Sequence, residues 1–577
     1  MLRPEHPTPQ FERADWLNLN GEWELEIDPA KGADPAKPFS KKINVPFCPE
    51  SRLSGVGYTD FMNTLYYRRS FTRPESFAGR RVLLHFGAVD YKASVFINGE
   101  KAGEHTGGYT PFCFDITDLC KAENELLVRA EDEHTGTAIP TGKQSHKKES
   151  YGCFYTRTTG IWQTVWLEAV DAAHIEDARY FTDPQKSEIE IAFTLSEAAT
   201  GCLCRAEASY EGAPMGNAEA AVCSPALRLT IPLTETHLWE PGHGRLYDLK
   251  LTLIKDGAVI DSVKSYFGLR SVDLSGYAMR INQKPVFGRF VLDQGFYPDG
   301  VYTAPDEAAL RADIEAGLAL GFNGARMHEK VFEPRYLYYA DKLGYMVWGE
   351  YPNWGYLADM KSAEPVLAEW REAVARDFNH PGLIGWCPFN ETWDNVDPGQ
   401  PGEKEQDKEV LRAAYRWTKK EDPTRPVIDV SGNFHCGETD IFDVHDYCQD
   451  PAAFAGYYDK IREGVLLDQI ERSPSFSKQQ TYTGGPVFVS EYGGIRWSED
   501  KDGWGYGNAP KSEAEFFERY RRLTDLLLDN DAVMGFCYTQ LYDVEQEQNG
   551  LMTYERKFKF APERIRVINE RKAKIEE

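Results

Sequence analysis

From residue 16 to about 170, short runs of alternating apolar and polar positions are broken by turn residues, as in RRVLLHFGAVDYKASVFINGEKAGEHTGGYTPFCFDIT (80 to 117). A period of two buries one face of a strand and leaves the other in water. Asn98-Gly99, between VFI and EKAGEH, predicts a two-residue hairpin, because both turn positions need a positive φ that these residues tolerate. Residues 1–172 therefore read as a β-sandwich. A second stretch, from HIEDARYF near 174 to KSYFGLRSVDL near 274, repeats the pattern in SEIEIAFTL and LRLTIPL. Its length of roughly 100 residues fits an immunoglobulin-like β-sandwich over 173–274.

After about 275 the period changes, and apolar runs alternate with helical patterns. PVFGRFVLD precedes DEAALRADIEAGLALG, FNGARMH precedes EPRYLYYADKLG, and YMVWGE precedes AEPVLAEWREAVARDF. LIGWCPFNE, PVIDVSG, DIFDVHDY, PVFVSE and VMGFCYTQ continue the series, with EKEQDKEVLRAAYRWTKKE, PAAFAGYYDKIREGVLL and KSEAEFFERYRRLTDLLLD as its further helices. Eight strands in alternation with helices predict a C-terminal (β/α)8 TIM barrel over 275–577. The polar stretch TWDNVDPGQPGEKEQD (392 to 407) is expected as a loop on its rim.

Composition narrows the partners. The 577 residues carry 65 Lys+Arg against 91 Asp+Glu, a net charge of −26 that repels nucleic acid and anionic membranes. Eleven cysteines, several in apolar strand-like runs (Cys113, Cys387, Cys537), read as buried thiols. No CxxC pair or HExxH occurs, so neither a structural zinc nor another metal is expected, and no GxGxxG follows a strand, so no cofactor is expected. Without a basic-then-apolar leader or a long apolar run, the chain reads as cytoplasmic.

Functional groups of such a barrel belong at the C-terminal ends of its strands. LIGWCPFNE places Asn390-Glu391 after the fourth strand, and PVFVSE places Glu491 after the seventh. Cleaving a glycosidic bond needs one carboxylic acid to protonate the leaving oxygen and a second carboxylate to attack the anomeric carbon or activate water. A separation of about 5 to 5.5 Å would mean retention of configuration, and about 6.5 to 9.5 Å inversion. Apolar neighbours such as Trp386 and Phe389 would keep Glu391 protonated, while Arg326 and Tyr447 would keep Glu491 ionised.

At these residues the chain resembles glycoside hydrolase family 2, which includes β-galactosidases, β-glucuronidases and β-mannosidases. DFNHPGLIGWCPFNETWD (377 to 394) is similar to the family's acid/base segment and PVFVSEYGG (486 to 494) to its nucleophile segment. The resemblance implies Glu391 as general acid/base, Glu491 as nucleophile and Asn390 as the partner of the sugar 2-hydroxyl. WLNLNGEW (16 to 23), residues 95 to 117 and TTGIWQTVWLE (158 to 168) resemble its N-terminal sugar-binding jelly roll; LWEPGHGRLYDL (238 to 249) and YFGLRSVD (266 to 273) resemble its sandwich domain. The stretch 321 to 350 resembles the barrel's second and third units, with Arg326 and His328 facing the sugar. The implied activity is that of a retaining exo-β-glycosidase, and the implied assembly a homodimer or tetramer.

Around the pair, Tyr447 and His445, at the end of the sixth strand, are expected to face the substrate. Trp354 and Trp393, in loops, are expected to stack on sugar C–H faces, and Gln540 with Tyr538 to line the pocket floor. Two departures bear on the sugar. β-Glucuronidases of this family carry an Asn-x-Lys element, before a Gly in the last loop, that holds the substrate carboxylate; EQEQNGL (545 to 551) lacks that lysine. The family's Arg-Gly-Val-Asn-Arg-His-Glu segment is here FVLDQGF (290 to 296), which puts Asp293 in a sugar-facing position. A β-galactoside is the first expectation, with a β-glucuronide, another uronide or an arabinoside as alternatives. A non-catalytic carbohydrate-binding protein is the rival of another class, and two intact carboxylates argue against it. An acyl hydrolase is the weaker rival, since no GxSxG elbow occurs and Ser490 before Glu491 has no motif around it.

Overall fold

The computed structural model describes residues 2–27, 37–134, 139–356, 358, 360–392, 407–432, 434–466, 482, 484–498 and 503–577. The alternating segments of the N-terminal part form two antiparallel sheets. One has six strands in the order Lys41–Val45, Gly21–Ile27, Thr64–Thr72, Glu123–Glu131, Lys92–Ile97, Glu100–Thr106; the other has four, Trp16–Asn18, Val165–Val170, Arg81–Phe86, Phe112–Asp115. Trp23, Leu65, Leu84, Phe86, Val95, Leu126 and Leu167 fill the space between them. Asn98 and Gly99 have φ of 53° and 83°, as the hairpin requires. Cys113 is not the buried thiol expected: the same alternation that buries Phe112 turns Cys113 to the exposed face, whereas Cys387 and Cys537 are buried.

The second part is a three-stranded sheet (Ile175–Asp183, Glu188–Leu195, Ala226–Pro232) on a four-stranded one (Ala213–Ala221, Leu203–Tyr210, Tyr247–Lys255, Ala258–Phe267). Seven antiparallel strands in two layers are the immunoglobulin-like count.

In the third part, seven parallel strands run in the order Leu383–Cys387, Met346–Glu350, Gly324–Met327, Gly288–Asp293, Val533–Thr539, Val487–Gly493, Phe442–Asp446. These are the fourth, third, second, first, eighth, seventh and sixth barrel positions. The fifth, PVIDVS, is a pair of parallel bridges, Trp386 to Val427 and Asn390 to Ser431, and not the strand expected. The reason lies in its neighbours: Val427 N donates to Asp440 Oδ2 (2.8 Å), Asp429 N to Thr439 Oγ1 (3.2 Å) and Gly432 N to Asp443 Oδ1 (2.8 Å). Side chains thus take the donors that a ladder to the sixth strand would use.

The helices follow the predicted amphipathic runs, at Glu307–Ala319, Pro334–Leu343, Ala363–Asp377, Lys408–Glu421, Pro451–Tyr458, Glu513–Leu528 and Pro562–Asn569. Asp306, Asp407, Asp450 and Ser512 cap four of them by accepting from first-turn amides. No helix among the described residues is long and apolar enough to cross a membrane.

Strand periodicity sorts the barrel side chains. Phe290, Leu292, Trp348, Ile384, Phe488, Met534 and Cys537 fill the interior. The intervening residues Ala325, Met327, Val347, Trp386, Val487 and Val489 pack outward under the helices. Gly385 makes room for Trp348, since a Cβ there would stand 2.5 Å from the indole. The interior is therefore solid, and the polar inward residues collect at its C-terminal mouth. Tyr109, Tyr155 and Trp162 of the N-terminal sandwich belong to the same apolar cluster as the barrel shell, and Arg3 makes a two-pronged bond to Glu333 at 3.1 and 2.8 Å.

Candidate active site

Arg326, with His328 Nδ1 2.9 Å from its Nη2, ends the second strand facing inward, and four further partners converge on it. Its Nε donates to Glu350 Oε2 at 2.5 Å, Nη1 to Glu491 Oε1 at 3.0 Å and to the Ser490 carbonyl at 2.9 Å, and Nη2 to Asn390 Oδ1 at 2.8 Å. A planar guanidinium presents its donors as a fixed fork, so these contacts set the mutual positions of three strand ends. Glu350 closes the third strand. Burial would raise its carboxyl, but Arg326 and His328 pull it down to about 2. His328 Nδ1 lies 2.9 Å from Glu350 Oε1. Burial, reinforced by Lys143 and Arg326, pushes that imidazole down to about 4, so it is neutral at pH 7.

Glu491 stands beyond a bulge. Pairing passes from Val444–Val489 to His445–Glu491 and skips Ser490, which lets both Ser490 and Glu491 face the mouth. The Tyr447 hydroxyl donates to Glu491 Oε2 and lies 3.1 Å from Thr539 Oγ1, its ring stacked on Tyr506 at 3.4 Å. Burial alone would raise the Glu491 carboxyl; the charges of His445 and Arg326 outweigh it and hold the group well below the ordinary carboxylate range.

Glu391 has a φ of 44°, in the left-handed region, and is held there by the bond from its own N–H to Ser431 O at 2.8 Å. The preceding peptide is pinned by Asn353, whose Oδ1 accepts from Asn390 N at 2.6 Å and whose Nδ2 donates to Asn390 O at 3.0 Å. His445 Nδ1 lies 2.7 Å from Glu391 Oε1 and 3.4 Å from Glu491 Oε2. Burial would lower that imidazole, but the two carboxylates raise it above an ordinary histidine, and Ser431 Oγ at 2.8 Å from Nε2 fixes the ring. One ligand-type atom from each of Glu391, His445 and Glu491 lies within 4.8 Å of the others, the one group of this kind among the described residues that could hold a metal ion.

The structure thus brings together Glu391, Glu491, Asn390, Arg326, His328, Tyr447 and His445. Trp354 joins them from the loop after the third strand, its Nε1 donating to Asn390 O at 3.3 Å. Trp393 lies outside the described residues, as does most of the polar stretch that follows it.

Asp293 sits elsewhere. It is fully buried, with Oδ1 accepting from Tyr542 OH at 2.5 Å and Gly295 N at 2.9 Å and Oδ2 from Tyr336 OH at 3.0 Å, so its oxygens brace the loop after the first strand. Gln540 is likewise fully buried, bonded to Gln294 and Asn549 at 2.9 Å each, and supports the last loop from below. Trp386 is not the neighbour expected for Glu391. It packs outward in the shell under the helices, where it donates to Asp422 Oδ2 at 2.8 Å and meets Trp370 edge-on.

Several site residues went unmarked in the sequence. Glu350 was legible, since YMVWGE ends in an acid as the other two strands do. Lys143 was not. It belongs to the N-terminal sandwich, in a segment that crosses to the barrel mouth: Thr141 N and Gly142 N donate to Trp354 O at 2.6 and 3.1 Å, and Trp504 Nε1 and Gln546 Nε2 donate to Gly152 O at 2.7 and 2.8 Å. The Lys143 ammonium rests 3.6 Å from the centre of the Trp354 ring.

Three family descriptions match the chain: a glycosyl hydrolase 2 galactose-binding domain-like region over residues 41–160, glycosyl hydrolases family 2 over 173–270, and the family 2 TIM barrel domain over 304–498. Among curated relatives, a β-galactosidase of Thermoanaerobacter pseudethanolicus is 29% identical over 364 residues, which cover 59% of this chain and 46% of that one. A β-glucuronidase of Paenibacillus borealis is 23% identical over 518 residues, 82% of each chain. The chain spans less than half the length of the first of these relatives. Among solved structures, a Bifidobacterium dentium β-glucuronidase superposes with a TM-score of 0.79 over 97% of both chains at 21% identity. An Eisenbergiella tayi β-galacturonidase does so with a TM-score of 0.75 over 99% and 98% at 18% identity. With all three of its parts matched in order, the chain belongs to glycoside hydrolase family 2.

Proposed function

We propose that this glycoside hydrolase is an exo-acting β-glycosidase that retains anomeric configuration by double displacement. The observation that carries the reading is the approach of Glu391 and Glu491 oxygens to within 4.8 Å. That is of the order of the roughly 5 to 5.5 Å between the carboxyls of retaining enzymes and short of the about 6.5 to 9.5 Å at which inverting enzymes hold a water between theirs. In this reading Glu491, kept ionised by His445 and Arg326, attacks the anomeric carbon while Glu391 protonates the leaving oxygen. A water that then surrenders its proton to Glu391 cleaves the glycosyl-enzyme ester. Asn390, fixed through Arg326 and Asn353, is assigned to the sugar 2-hydroxyl. The segment from the N-terminal sandwich walls one side of the mouth, which favours action at a chain end. Both a β-galactoside, expected from the last loop, and a β-uronide are in keeping with the names of the relatives.

Glu491→Gln tests the mechanism. It should cut turnover of nitrophenyl β-glycosides on the order of 10⁴-fold or more, the scale on which losing one member of a catalytic unit acts, with the melting curve preserved. Methanolysis followed by NMR should give the β-methyl glycoside first; an α-product, or a variant as fast as the wild type, would overturn the proposal.

A further inference from the structure

Lys143 is 6% exposed, yet its ammonium has no hydrogen-bond acceptor and no carboxylate within ion-pair distance among the described residues. An ammonium on a side chain this enclosed and without a protein acceptor calls for a partner, which water or the oxygen of a ligand supplies. Its position is built and not incidental. Gly142 has a φ of 54° and approaches so closely that a Cβ there would stand 2.5 Å from Glu329 O and 3.0 Å from Pro352. The amides of Thr141 and Gly142 itself donate to Trp354 O, and Trp354 is held in turn by Glu329 Oε2 (3.1 Å) and Asn390 O. The ammonium is therefore fixed over the Trp354 ring, where its charge is felt by Glu391, Glu491 and Glu547 together.

The other cations of the mouth are already engaged. Arg326 is shared among Glu350, Glu491, Ser490 O and Asn390, and His445 among Glu391, Glu491 and Ser431. In the last loop no cation stands where a lysine was sought. Asn549 is bonded to Gln540 and Glu547, and Glu547 accepts from Tyr155 OH at 2.5 Å, a residue of the same N-terminal segment that carries Lys143. Of these three cations only Lys143 keeps all its donors for an incoming oxyanion.

We propose that Lys143 is a specificity-determining residue that binds the carboxylate of a uronic acid, so that the substrate class is the β-uronides and the clamp comes from the N-terminal sandwich. The inference rests on the glycosidase reading above and deepens it. A neutral hydroxymethyl group would accept a hydrogen bond from the ammonium but would not compensate its charge, whereas a carboxylate does both.

The test compares matched nitrophenyl pairs, β-D-glucuronide with β-D-glucoside and β-D-galacturonide with β-D-galactoside, on the wild type, Lys143→Met and Lys143→Arg. The wild type should favour at least one uronide over its neutral counterpart, and Lys143→Met should lower that preference, the ratio of the two kcat/KM values within one enzyme, about 100-fold, as the loss of one charge-assisted hydrogen bond does. Lys143→Arg should restore part of the preference. A wild type that prefers neutral sugars, or a Met variant that slows both members of a pair alike, overturns the inference while leaving the glycosidase reading intact. Should the wild type cleave no nitrophenyl glycoside, the turnover reading is what fails. Calorimetric titration with free glucuronate, galacturonate, glucose and galactose then decides separately: uronate binding that Lys143→Met abolishes supports the clamp, and equal binding of acid and neutral sugar refutes it.

Discussion

At the scale of single residues, the site's logic is the unequal treatment of two glutamates set close together. Glu491 is surrounded by positive charge and a tyrosine hydroxyl, and Glu391 meets one of those cations, His445, at hydrogen-bond distance. His445 is the first of the charges that oppose burial at Glu491, so its removal has a signed consequence. His445→Asn keeps a polar group between the carboxyls and deletes the charge. The Glu491 carboxyl should then rise, and since attack requires the ionised form, the acidic limb of the kcat/KM profile should move to higher pH, by about one unit for a charge at this distance. An unmoved acidic limb would mean that the other cations, Arg326 foremost, set the ionisation of Glu491. Arg326 itself is a poorer probe, because deleting it strands Glu350 and Glu491 as buried charges, a loss of about 3 to 5 kcal/mol of stability.

At the scale of elements, period-two and longer-period patterns were enough to locate the two sandwiches, the Asn98-Gly99 hairpin and seven of eight barrel strands, because burial on one or both faces writes itself into local composition. PVIDVS has that composition too, but its ladder partners are replaced by the side chains of Asp440, Thr439 and Asp443, which no local pattern encodes. The candidate site divides in the same way. Acids that close apolar strands are legible, Glu350 among them, whereas Asp293 and Gln540 look alike in sequence and differ only in which neighbours have already taken their oxygens. Lys143 was illegible because KQSHKKES reads as a solvated basic run, and only the tertiary crossing turns one of its lysines inward. The crossing segment yields an element-scale prediction. Gly142→Ala meets both an unfavourable φ and the Glu329 carbonyl, so it should strain the segment by about 1 to 3 kcal/mol and displace Trp354. Thermal melts should fall modestly while kcat/KM falls by about tenfold or more, as misplaced binding groups do; a large melting loss with full specific activity would show that the segment is only a scaffold.

At the scale of the whole molecule, the N-terminal sandwich and the barrel share one apolar cluster, and inside that contact lies an acid that neither domain needs for chemistry. Glu369, on the helix Ala363–Asp377, accepts from Tyr109 N of the sandwich at 2.7 Å and from Tyr351 OH of the barrel at 2.7 Å. Burial, with Glu372 adding and His105 opposing, pushes its carboxyl up to about 7. A folded-state value above the unfolded one means that the group favours folding fully below about pH 4.5 and that this advantage is lost as pH rises through 7. The wild type should therefore weaken between pH 5 and pH 8 by up to about 3 kcal/mol from this residue, the equivalent of its displacement from the ordinary value. Glu369→Gln keeps the shape and an acceptor for Tyr109 N without a charge to bury. Its melting temperature should match that of the wild type near pH 4 and exceed it at pH 8, with the gap opening from about pH 4.5 and complete just above pH 7. A gap that is constant with pH would assign the alkaline weakening to another buried acid, of which Glu50 within the N-terminal sandwich, also pushed up to about 7 by burial, is the next to substitute. Because Tyr109 and the Lys143 segment belong to the same sandwich, loosening this contact should also lower kcat/KM at pH 8 before it lowers helicity, and the Gln variant should keep its activity over that interval.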